Sequence, residues 1–146
     1  MSRRKVTAGI TSVTVPIFVQ DNTSATGAGL GSLLFNTSGL AAKYRREGDS
    51  TWTTITLATA TVGTFASGGF IGDGGPITGG YEVGIPNAAL ASGAKWAQVA
   101  YYGATNMLPV LLEFELDVVN YQSSTAFVAS VPAVVGAVGS VTGNVG

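Results

Sequence analysis

Apolar and polar residues alternate with a period of two through most of the chain, and helical periodicity is almost absent. From Ser12 to Gln20 the pattern places Val13, Val15, Ile17 and Val19 on one face and Thr14, Pro16, Phe18 and Gln20 on the other, which predicts a strand. Pro16 cannot donate to a β-ladder, so the strand belongs at a sheet edge. Asp21 to Gly31 reads as a polar, Gly-rich loop, Leu33 to Phe35 as a short apolar run, and Asn36 to Gly39 as a turn. Ala41 to Glu47 alternates again, Gly48-Asp49-Ser50 supplies turn residues, and Trp52 to Ala58 returns, which is the signature of a β-hairpin. Thr59 to Ala66 reads as a Thr-rich strand, Gly68 to Gly80 as loop, and Tyr81 to Ile85 as strand. Pro86, Asn87 and Gly93 bracket the single helical candidate, Asn87 to Ser92, with Asn87 placed to cap its first turn. Lys95 to Tyr102 is a strand carrying Trp96, Tyr101 and Tyr102. Met107 to Val119 is the clearest strand, with Leu112, Phe114, Leu116 and Val118 on one face and Glu113, Glu115 and Asp117 on the other.

Short strands separated by Gly, Pro, Asn and Asp predict an all-β fold, an antiparallel β-sandwich of Ig-like or jelly-roll-like type with one short helical turn. An open barrel satisfies the same pattern. No charged residue follows Asp117, which marks a change of regime. The sandwich is therefore placed at residues 12–121, between an N-terminal arm (1–11) and a Gly/Val-rich tail (122–146). In the tail Val135, Val138 and Val141 alternate with Gly136, Gly139 and Gly143, and the Gly spacing is too irregular for collagen. Two readings stand for it: a flexible low-complexity extension, or a contact segment that starts a fibrous stalk or donates a strand to a neighbour.

Composition narrows the function. Only 10% of the 146 residues are charged, against a usual quarter or so, yet 46% are hydrophobic, so the chain has the material for a core. The absence of His and Cys excludes Ser-His-Asp and Cys-His nucleophile systems, N/S-ligated zinc, His- or Cys-ligated haem and a disulfide framework. With 7 Lys+Arg against 8 Asp+Glu, the net charge of -1 gives no footprint for nucleic acid. The basic cluster Arg3, Arg4 and Lys5 reads as a solvated terminus, or as a contact with an acidic partner. No continuous apolar stretch follows it to make a signal peptide, and none reaches the ~18 residues of a membrane span. The expectation is a chain synthesised and folded in a cytoplasm.

Candidate chemistry is sparse. Glu113, Glu115 and Asp117, about 7 Å apart along one strand face, have the oxygen ligands that Ca²⁺ prefers. A solvated face opposite Lys43, Arg45 and Glu47 accounts for them more simply. The Gly-rich stretch at Gly68 to Gly75 lacks the Lys-Ser/Thr pair of a phosphate loop, and no cofactor or metal is expected. Trp52, Trp96, Tyr44, Tyr101 and Tyr102 lie on strands, where exposed rings anchor interfaces or stack on sugars.

The runs IFVQDNTSATGAGLGSLLFNTSGLAAKYRREG, ITLATATVGTFASGGF and YEVGIPNAALASGAKWAQVAYYGATNMLPVLLEFEL carry a resemblance. Over Ile17 to Leu116 the chain resembles a domain recurring in tailed-phage and prophage structural proteins, of tail-fibre-like or baseplate-upper-protein-like kind. The segment GDGGPITGG departs from it, standing where relatives tend to be more acidic. The resemblance implies a non-enzymatic virion protein that docks to other virion proteins and self-assembles, with a homotrimer as the family-level expectation. It also implies that Gly/Val repeats follow the domain. Expected contact residues are Trp52, Trp96, Tyr101, Tyr102, Val135, Val138 and Val141. A head position as a capsid decoration or head-fibre protein, and a receptor- or carbohydrate-binding module contacting a host surface glycan through Trp52, Tyr101 and Tyr102, are the alternatives.

Overall fold

Alternation along the chain becomes alternation in burial. The structure, a computed structural model, describes residues 3–118. Its strands are β1 (Arg3–Thr7), β2 (Val13–Phe18), β3 (Ala41–Arg46), β4 (Thr53–Ile55), β5 (Phe70–Gly72), β6 (Gly80–Ile85), β7 (Trp96–Tyr102) and β8 (Val110–Asp117), with one 3-10 turn at Asn87–Leu90. They form a five-stranded sheet in the order β1-β8-β7-β3-β4 and a three-stranded sheet in the order β2-β6-β5. The apolar parity of each strand points between the sheets: Val15 and Ile17 on β2, Tyr81, Val83 and Ile85 on β6, Ala97, Val99 and Tyr101 on β7, Phe114 and Leu116 on β8. Phe70 stacks on Tyr81 at 4.9 Å between ring centroids and meets Tyr101 at 6.2 Å. The second contact crosses from the small sheet to the large one, so this is a sandwich. Each large side chain so buried contributes roughly 1.5–3 kcal/mol.

Local expectations met by the structure include the hairpin, where β3 and β4 pair antiparallel with Ala42 opposite Ile55 and Tyr44 opposite Thr53. Strand β2 lies at the edge of the small sheet, where the missing N–H of Pro16 leaves no gap in a ladder.

Other expectations need correction. Arg3, Arg4 and Lys5 are not part of a free terminal arm, because Arg3–Thr7 forms β1 and runs parallel to β8 with Val6 opposite Leu116. The large sheet is therefore mixed rather than antiparallel. Alternation explains the strand: Arg3 forms an ion pair with Glu113 at 2.6 Å and Lys5 with Asp117 at 3.3 Å on one face, while Val6 packs against the core on the other. Arg4, of the same parity as Val6, reaches the Pro16 carbonyl at 3.4 Å and ties β1 to the opposite sheet. Val118 is exposed and lies past the end of β8 at Asp117, outside the apolar face assigned to it.

Thr59 to Ala66 is not a strand but crosses the outer face of the small sheet. There the backbone N–H of Gly63 donates to the Glu82 carboxylate at 2.8 Å, and just beyond it the Gly68 N–H donates to the Gly84 carbonyl of β6 and the Gly84 N–H to the Gly69 carbonyl. Gly68 to Gly80 contains β5, whose Phe70 is buried. Asn87 does not cap its turn: Pro86 takes the N-cap position, and the Asn87 side-chain oxygen accepts from the Ser12 N–H at 2.9 Å, fastening the start of β2 instead. The proposed tail at 122–146, with Val135, Val138 and Val141, lies outside the described residues.

Candidate functional site

The outer face of the large sheet collects the exposed aromatic and charged residues, and its layout follows from strand parity. On β7, Trp96, Gln98, Ala100 and Tyr102 point outward while Ala97, Val99 and Tyr101 point into the core. Lys43 and Arg45 on β3 face out opposite Ala100 and Gln98, and Thr54 on β4 faces out opposite Lys43. Continuing the β3–β4 register by one step sets Trp52 beside Arg45, and the Arg45 guanidinium does lie over the Trp52 ring, 5.4 Å from its centroid. It lies at the same 5.4 Å from Trp96 and donates to the Gln98 side-chain oxygen at 3.3 Å. One cation thus holds two indoles, an arrangement contributing roughly 0.5–2 kcal/mol per ring according to its desolvation. Trp52 precedes β4 and lacks a place in the strand ladder, and the Arg45 guanidinium over its ring helps to fix it on this face.

Beside this ladder lies an open cleft of about 260 Å³ lined by Lys43, Trp52, Ala100 and Tyr102. Ala100, opposite Lys43 on the neighbouring strand, contributes only a methyl group to its lining. A larger open cleft of about 420 Å³ lies elsewhere, between Gly31–Leu34 and Gly72–Tyr81, and is walled largely by glycine backbone.

The carboxylates sit further along the same face, but not opposite Lys43, Arg45 and Glu47 as the sequence suggested. Strand β7 separates β3 from β8, so Gln98 stands between Arg45 and Glu113. The basic residues facing Glu113, Glu115 and Asp117 are Arg3 and Lys5 of β1, which the sequence alone assigned to an arm. Among the described residues no three acidic side chains converge as a metal site requires. Glu47 turns instead to the Lys95 backbone N–H at 2.7 Å.

Of the predicted contact residues, the structure brings Trp52, Trp96 and Tyr102 onto one face and removes Tyr101 from it. Tyr101 is fully buried, and burial pushes its hydroxyl well above the ordinary phenol range. The correction follows from parity, since consecutive strand residues point to opposite faces and Tyr101 and Tyr102 cannot share one. The Tyr101 hydroxyl has no hydrogen-bond partner among the described residues. An unsatisfied buried group costs about 1–3 kcal/mol. Tyr101→Phe is therefore expected to leave stability unchanged or raise it by about 1 kcal/mol in urea unfolding; a comparable loss would reveal a partner for the hydroxyl.

Sequence reading missed Lys43, Arg45, Gln98 and Ala100 as members of this surface. Their parity was visible, but their neighbours depend on strand order. Comparison of the chain with protein-family models, with curated proteins and with solved structures finds no match in any of the three.

Proposed function

We propose that the protein is a non-enzymatic structural component of a phage virion that docks to other virion proteins and self-assembles as a homotrimer, made in the host cytoplasm and carried in the particle. The observation that carries this reading is the outer face of the large sheet. Trp52, Trp96 and Tyr102 sit there with Leu111 among charges, and aromatic residues with Arg are enriched where protein interfaces concentrate their binding energy. Arg45 holds the two indoles, so a docking partner would meet side chains already ordered, which lowers the entropy lost on binding. The family resemblance of the sequence motifs, and a Gly/Val segment without charge after Asp117, support the same reading.

Light scattering after size-exclusion chromatography of the full chain tests it, with a three-chain mass as the expected result. Truncation after Tyr121 is expected to weaken the assembly, and a persistent full-length monomer at high concentration would overturn the trimer. A second reading, recognition of a host surface glycan, is favoured by one specific observation: the cleft walled by Trp52 and Tyr102.

A further inference from the structure

We infer that the cleft formed by Lys43, Trp52, Ala100 and Tyr102 binds a carboxylate-bearing saccharide. The inference rests on the glycan reading and names the ligand class for it. At about 260 Å³ the cleft falls below the roughly 300–1,000 Å³ of sites that enclose drug-sized ligands, so it fits one ring rather than an extended molecule. Two of its four lining residues are aromatic, and a third, Ala100, presents only a methyl group to it. A pyranose suits such a shape because its axial C–H groups form an apolar face that stacks on an indole, while its hydroxyl rim stays in water. The cleft is open, which leaves that rim solvated.

Charge selects among sugars. On the outer face Lys43 is flanked across the strands by Thr54 and Ala100, and along its own strand by Ala41 and Arg45. None of these neighbours is acidic. The β8 carboxylates Glu113 and Asp117 lie beyond β7 and hold Arg3 and Lys5, and Glu47 bonds to the Lys95 backbone. Lys43 makes no ion pair with the described residues. A ligand carboxylate reaching Lys43 would form a charge-assisted bond, roughly twice as strong as a neutral one. Arg45 acts as a positioning residue, holding Trp52 in place through its ring.

The test uses the full chain and paired probes: trigalacturonic acid against neutral trigalactose, and sialyllactose against lactose, read by tryptophan fluorescence and calorimetry. The acidic member of each pair is expected to bind about tenfold more tightly than its neutral parent, with the preference shrinking at about 0.5 M salt. Lys43→Gln is expected to bring the acidic probe down to the neutral level. Ala100→Leu is expected to abolish binding of both by filling the cleft, and unchanged binding by that variant would place the site elsewhere. Lys43→Gln, at a partly exposed position, keeps the test decisive if Ala100→Leu disturbs the sheet. Equal binding of acidic and neutral probes would overturn the charge assignment and leave the glycan reading standing, whereas no binding of any probe would overturn both.

Discussion

Gly84→Ala is expected to destabilise the protein by about 3 kcal/mol or more, at the upper end of what overpacking does. Gly84 lies in β6 on the face turned away from the core, where an ordinary surface strand would tolerate any side chain. Here the chain from Thr59 to Gly69 lies over that face. A Cβ at Gly84 would come within 1.8 Å of the Ala66 carbonyl oxygen and 3.0 Å of its carbon. Both are backbone atoms, so no rotamer change relieves the clash. Relief requires the covering segment to lift, and that breaks the Gly84 N–H bond to the Gly69 carbonyl at 2.9 Å and the Gly68 N–H bond to the Gly84 carbonyl at 3.0 Å. A urea midpoint shifted by less than the equivalent of about 0.5 kcal/mol would show that the segment does not lie on β6.

Phe70→Ala is expected to cost about 3–5 kcal/mol, the range for emptying a buried aromatic site. Phe70 is the largest side chain that the short strand β5 contributes to the core, and it is 1% exposed. Its ring stacks on Tyr81 within the small sheet and meets Tyr101 of the large one, so its removal loosens both the β5 edge and the contact between sheets. Phe70→Leu should recover more than half of the loss, because most of the buried apolar volume returns. If Phe70→Ala unfolds at the wild-type midpoint, the two sheets do not share this core.

Legibility of the fold differed by element. The β3–β4 hairpin, β2, β6, β7 and β8 could be read from period-two patterning, since burying one face of a pleated strand requires apolar residues at every second position. The site was partly legible by the same rule. Trp96 and Tyr102 share a parity on β7, and Tyr101, adjacent to Tyr102, necessarily turns inward. Grouping Tyr101 with Tyr102 ignored that period, which is a fault of reading rather than a missing signal.

By itself the sequence determined which residues of β2, β3, β6, β7 and β8 face the core, because that choice depends only on local spacing and the preference of apolar groups to leave water. It determined likewise that the charges stop at Asp117. Only the tertiary structure decided which strands are neighbours. Parallel pairing of β1 with β8 joins residues more than a hundred positions apart, so Arg3 and Lys5 meet Glu113 and Asp117 through strand order, which no local pattern encodes. The path of Thr59 to Ala66 over β6 was hidden for the same reason: its Thr-rich stretch satisfies a strand pattern locally, but Gly84 leaves room for its backbone only after both segments are in place. The cleft of Lys43, Trp52, Ala100 and Tyr102 likewise exists because β7 lies beside β3 and β3 beside β4, which brings Ala100 and Tyr102 of β7 to Lys43 of β3 and to Trp52 just before β4.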